Sequence, residues 1–158
     1  MLVYRLLQAA YRDEPLSGQG AALYGGRWNP KGLSLLYTTG SPALSLLEVL
    51  VHINPQRIPD YYLVTIDVPD SVRSYRVDEL PTGWRATGGA QPLPSQTFLL
   101  EWLREPNKLV VQVPSSIVPI MANCLINPRH PLFPACQVID SAPFDIDKRL
   151  YDPTRQSG

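Results

Sequence analysis

Glu48 is the residue whose surroundings point most directly to chemistry. It lies in residues 41–53, where every position after Pro42 is apolar except Ser45, Glu48 and His52. At about 100° per residue, a helix places Ser41, Ser45, Glu48 and His52 near 0°, 40°, 340° and 20°, on one narrow stripe. Surface helices carry a much wider polar face, so this stripe faces either a slit of solvent or a polar cleft. In the first case Glu48 pairs with His52 four residues on; in the second it is a carboxylate placed for catalysis or binding. Arg27 is the second candidate, because Gly25 and Gly26 let the backbone approach a ligand beside its guanidinium. Taken alone, Arg27 reads equally as a solvated side chain in a glycine turn. Trp28, next to it, is either a core anchor or a stacking platform. Tyr37 ends a strand that feeds the Glu48 helix, so its ring can stack on a flat ligand or fill the rim of the core. Ser115 or Ser116, after Pro114, can donate a hydrogen bond into the same cleft or simply make a turn. Asn123, Asn127 and His130 lie around Pro128 and Pro131 and read as loop fasteners.

The elements that must position these groups follow from the apolar pattern. Residues 2–7 read as a strand with Val3, Arg5 and Leu7 on one side. The polar, glycine-rich stretch 17–32 reads as a long loop, of a length that is uncommon unless functional. Residues 33–38 form a second strand, Ser41 caps the Glu48 helix with Pro42 at its first position, and Asn54-Pro55 closes it. Strands follow at 61–68 and 72–77. Ser95 is expected to cap a second helix carrying Phe98, Leu99, Trp102 and Leu103. A strand at 108–113 comes next, then a proline-broken stretch to Phe133 and short strands near 137–139 and before Lys148. Strands outnumber helices in an irregular order, which predicts an α+β fold with a mostly antiparallel, split sheet flanked by helices.

Composition bounds the rest. A chain of 158 residues is one domain, taken as residues 1–153 with a flexible tail at 154–158. Fourteen basic and 14 acidic residues cancel, which disfavours direct nucleic-acid binding. Eleven of the 14 basic residues are arginine, whose planar fork grips phosphate or carboxylate. Two cysteines, Cys124 and Cys136, are too few for a disulfide scaffold and read as reduced thiols. No apolar run approaches the roughly 20 residues of a membrane span, and no secretory leader is visible, so the expected location is cytoplasmic, away from membranes. The two cysteines and two histidines show no metal-ligand spacing, and no metal is expected. Neither a dinucleotide fingerprint, a phosphate-loop lysine nor a nucleophile elbow is present.

Several blocks, in order along residues 4–150, resemble the RES domain, the toxin half of bacterial RES–Xre toxin–antitoxin pairs. They are Tyr4-Arg5-Leu6, Gly20-Ala21, Tyr24-Gly25-Gly26-Arg27-Trp28-Asn29-Pro30-Lys31-Gly32, Tyr37-Thr38, Ser41-Pro42-Ala43-Leu44 with Glu48, Val113-Pro114-Ser115, and Asn127-Pro128-Arg129-His130-Pro131. The resemblance implies an ADP-ribosyltransferase-like fold and NAD+ as substrate. The nicotinamide–ribose bond would be broken by hydrolysis or phosphorolysis, or ADP-ribose transferred to a protein. It places the family's arginine on Arg27, its tyrosine on Tyr37, its glutamate on Glu48 and its serine on Ser115, with Arg5 as a further phosphate ligand. Trp28 and Asn29, in the same block as Arg27, are expected to line the substrate. Arg27 would neutralise the pyrophosphate, Tyr37 stack on nicotinamide, and Ser115 orient the nicotinamide or its ribose. The implied partner is an Xre-type antitoxin occluding the cleft, with phosphate as a further ligand. Some arginine-modifying relatives in fold carry Glu-x-Glu, whereas Leu46 stands two residues before Glu48, which favours NAD+ consumption over transfer to arginine. The alternatives are a protein ADP-ribosyltransferase and a non-catalytic binding module that seats an acidic partner.

Overall fold

The alternation in the first residues sends the two sides of one strand to different cores. In the computed structural model, which describes residues 1–152 and residue 154, Leu2–Gln8 forms β1. Its Val3 and Leu7 join one apolar cluster and its Leu6 another. The tail expected over 154–158 lies, apart from Thr154, outside the described residues. The chain continues through α1 (Gln19–Tyr24), β2 (Leu36–Thr39), α2 (Pro42–Leu50), β3 (Tyr61–Asp67) and β4 (Val72–Ser74). It ends with α3 (Pro94–Arg104), β5 (Val110–Pro114), β6 (Ala122–Ile126) and β7 (Gln137–Phe144).

These seven strands form one sheet in the order β4-β5-β6-β2-β1-β3-β7. Neighbours run antiparallel except β4 and β5, which are parallel and joined by a crossover containing α3. Pairing thins to a single register position, Tyr4 opposite Thr39, between β1 and β2. On one face, α3 lays Leu99, Trp102 and Leu103 against Val111, Val113 and Leu125, beside Trp28 and Trp84. The other face buries Val3, Leu36, Val64, Val110, Cys124 and Ile126 under Met1, Leu16, Val72 and Phe133. A third cluster seats Leu46, Val49 and Leu50 of α2 against Leu6, Tyr61 and Ile146.

Several expectations are corrected. The stretch read as continuous loop contains the short helix α1. The proline-broken stretch hides β6, which sits between β5 and β2; its five residues open with Ala122-Asn123 and give little strand signal. The two short C-terminal strands are one edge strand, β7, where Pro143 is tolerated because an edge strand need not donate every N–H. The second helix starts earlier than predicted. Leu93 is its N-cap and Pro94 its first residue, so Ser95 lies inside it. Ser41 does cap α2, its Oγ accepting from the Leu44 N–H at 3.2 Å, but the helix stops at Leu50 rather than Ile53. No helix among the described residues is long and apolar enough to cross a membrane.

Cys124 is inaccessible and Cys136 nearly so, and burial pushes both thiols above their ordinary pKa, leaving little reactive thiolate. A thiol reagent at neutral pH is therefore expected to leave both cysteines unmodified in the native protein and to titrate both after denaturation. Fast labelling of Cys124 under native conditions would contradict this packing of β6.

Candidate active site

The polar stripe of α2 turns inward. Ser45 is buried, with its hydroxyl 2.6 Å from Thr39 Oγ1 and donating to the Tyr4 carbonyl at 3.1 Å. This fastens the helix across the thinly paired junction of β1 and β2. One turn further on, the Glu48 carboxylate is held by one of its oxygens. Oε1 accepts from Ser115 Oγ at 2.9 Å and from Asn123 Nδ2 at 2.9 Å. The Ser115 hydroxyl has no freedom left, because its oxygen accepts from the Ile117 and Val118 N–H groups at 3.0 and 3.2 Å. Its single proton must therefore point at Glu48. Ser115 and Asn123 are thus Glu48's partners, while His52 lies on the cleft wall.

The second side of the site is the loop carrying Arg27. Gly25 has φ +70°, a conformation that L side chains rarely adopt. Gly26 is needed for a different reason: a Cβ there would stand 2.5 Å from the Tyr37 hydroxyl and 3.0 Å from Asn29 Oδ1. That hydroxyl donates to Asn29 Oδ1 at 2.7 Å and accepts from the Trp28 N–H at 3.1 Å. The start of α3 grips the same loop. Ser95 Oγ donates to the Arg27 carbonyl, and Gln96 Nε2 to the carbonyls of Gly26 and Asn29 at 2.8 and 3.2 Å. The Arg27 guanidinium reaches the Trp84 and Ala86 carbonyls at 3.3 and 3.2 Å. Its partial burial pulls its pKa down, the charge of Glu48 pulls it back up, and Arg85 repels it. An arginine so placed stays charged.

Arg27 and Glu48 line one open cleft of about 1130 Å³, with Tyr37, Gln96 and Asn123 also on its walls. A smaller chamber of about 190 Å³ lies beside it, lined by Tyr4, Arg5, Thr39 and Ser45. Tyr37, Glu48 and Asn123 line both. The cleft can hold an elongated anionic ligand, with a cation for its charge and a carboxylate for a developing positive centre.

The predicted site residues divide. Arg27, Tyr37, Glu48 and Ser115 come together around the cleft, Ser115 through its bond to Glu48. Ser116 lines the cleft, and its carbonyl accepts from Arg85 Nη2 at 3.0 Å. Asn29 belongs to the frame. It is fully buried, its amide donates to the Ala21, Pro30 and Leu33 carbonyls, and its Oδ1 is taken by Tyr37. Trp28 is 1% exposed and stacks on Trp84 at 6.0 Å between ring centroids, a core anchor that also forms part of the cleft wall. Arg5 lines the small chamber but spends Nη1 on the Pro15 and Ser17 carbonyls, tying down the loop before α1. Burial lowers its pKa to about 10. Burial likewise raises the Tyr37 hydroxyl, which remains a donor. Asn127 and His130 do fasten loops, through the Trp102 carbonyl and the Leu132 N–H. Asn123 does not, and Ser95 and Gln96 escaped sequence reasoning because their partners lie about 70 residues away. Among the described residues no cluster of three or more His, Cys, Asp or Glu side chains is placed to hold a metal ion.

A mixed sheet, few helices and one carboxylate sharing an open cleft with a guanidinium define an α+β protein built around a single-carboxylate site. The RES domain profile matches residues 2–147, and the chain belongs to that family. It is 36% identical over 155 residues to Toxin Res of Yersinia enterocolitica, covering 95% of this chain and 99% of the relative. It is 42% identical over 148 residues to the Prs ADP-ribosylating toxin of a Sphingobium species, covering 90% and 88%. The fold is similar to that of the M. tuberculosis MbcT-MbcA toxin-antitoxin complex, with a TM-score of 0.68, 22% identity and coverage of 99% of this chain and 89% of the other.

Gly26→Ala is expected to destabilise the protein by about 1–3 kcal/mol, because the methyl group overpacks against a hydrogen-bonded hydroxyl. Tyr37→Phe removes that hydroxyl, so the double variant should lose less than the sum of the two single changes. Denaturant unfolding of the three variants measures this, and strict additivity would place Gly26 elsewhere.

Proposed function

We propose that this chain is the toxin of a toxin–antitoxin pair and acts by cleaving the nicotinamide–ribose bond of NAD+, in the manner of an ADP-ribosyltransferase-like enzyme. The observation that carries the reading is the Glu48 carboxylate, with Oε1 fixed by Ser115 and Asn123, in the same cleft as Arg27. Bond cleavage sends the bonding electron pair out with nicotinamide, which leaves as a neutral pyridine and needs no general acid. Positive charge then develops on the ribose as an oxocarbenium ion, and a fixed carboxylate beside it stabilises that charge. Glu48 also accepts from the ribose hydroxyls through Oε2. Arg27 neutralises the pyrophosphate, the Tyr37 ring faces the nicotinamide, and Ser115 acts by holding Glu48. Arg5 is a reserve cation beside the small chamber. Water as the acceptor gives ADP-ribose, and phosphate gives its phosphorylated form.

Full-length similarity to proteins named as toxins supports the physiological half of the reading. A structural neighbour solved with its antitoxin supports a partner protein; here that partner is an Xre-type antitoxin that covers the cleft. A second reading, transfer of ADP-ribose to a protein, is favoured by one observation, the name of the 42% identical Sphingobium relative. Leu46, two residues before Glu48, leaves no second carboxylate at that position to deprotonate an arginine acceptor. An acceptor of another kind would serve that reading.

Nicotinamide release by partner-free protein is the test. Glu48→Gln should keep the fold, since Oε1 still accepts from Ser115, and should lower release by about 10²–10³-fold or more, the scale for losing one preorganised electrostatic contact. Release unaffected by this change would overturn the assignment. Repeating the assay with phosphate separates the two small acceptors, and label from NAD+ on a protein band identifies transfer.

A further inference from the structure

We propose that Asn123 is a positioning residue for Glu48 in the cleavage reaction; this rests on the NAD+ reading above. A carboxylate oxygen only accepts, so the Asn123 group facing Oε1 must be the amide nitrogen. That fixes the side chain's orientation and leaves Oδ1 pointing elsewhere. Oδ1 is shut off from solvent and has no hydrogen-bond partner among the described residues. A buried acceptor without a donor costs stability, so packing alone does not account for an asparagine at this position. Its nitrogen does the work that its oxygen does not repay.

The placement is rigid. Asn123 lies in β6 between two strands, opposite Thr39 of β2 and Val113 of β5, so its Cα cannot drift. With the Ser115 proton also committed, Oε1 takes two donors from separate elements, and Oε2 is left for the ligand. A carboxylate held by one donor alone can swing about that bond; two donors fix its plane. Such fixing matters most where charge develops, so its loss should appear in turnover more than in binding.

Asn123→Leu is near-isosteric and leaves no donor facing Oε1, and Asn123→Ala leaves none either while adding no bulk. Steady-state nicotinamide release is measured for the intact protein and both variants, with thermal unfolding alongside. The expected result is a fall in kcat of about 10- to 100-fold in both variants, with KM within about threefold. Loss in Leu but not in Ala would show that the bulk of the larger side chain, not the missing N–H, lowers turnover, and would overturn the positioning role. A raised KM with unchanged kcat, or full activity in both, would also overturn it. Should Leu fail to fold, Ala with Asn123→Val carries the same comparison. If the intact protein releases no nicotinamide, the NAD+ reading falls and this proposal with it, whereas an active parent with active variants removes Asn123 alone.

Discussion

The arrangement depends on holding one carboxylate still in a partly covered place. Moving a charge out of water is costly unless donors replace the lost hydration, and Glu48 has two, drawn from just past β5 and from the start of β6. Neither donor is adjustable. Ser115 is locked by two backbone N–H groups and Asn123 by the register of the sheet. The helix that carries Glu48 is fixed in turn by Ser45 against Tyr4 and Thr39, at the sheet's weakest pairing. The polar stripe of α2 is therefore one continuous fastening, with Glu48 at its open end.

The cation is positioned by a separate device. A loop with two glycines is held from below by Tyr37 and Asn29 and from the side by the first turn of α3. Loops usually gain freedom from glycine, yet here Gly26 allows a close approach that removes it. Buried polar side chains at Asn29, Ser95 and Gln96 satisfy carbonyls that a loop would otherwise turn to water. The two halves of the site thus rest on different faces of chemistry: a carboxylate clasped by side chains, and a guanidinium clasped by backbone.

What was legible in the sequence was whatever a local pattern encodes. The narrow stripe of α2 exposed Glu48, and the glycine pair exposed Arg27, because each departs from its own neighbourhood. Asn29 was misplaced for the same reason: beside a cleft, local sequence does not say which side chains turn into it and which turn into the core. β6 and Asn123 were hidden because they matter through partners distant along the chain, and an asparagine near prolines looks like any loop residue. Ser95 has the composition of a cap, but Pro94 fits the first helical position and moved the boundary by two residues.

The clasp on Glu48 spans 67 residues to Ser115 and 75 to Asn123. During synthesis the N-terminal part emerges first, and it carries the carboxylate, the guanidinium and the Tyr37 ring without the groups that align them. Only when β5 and β6 have joined the sheet does the geometry exist. A chain still being made therefore carries Glu48 unclasped until Asn123 has emerged and β6 has found its place in the sheet.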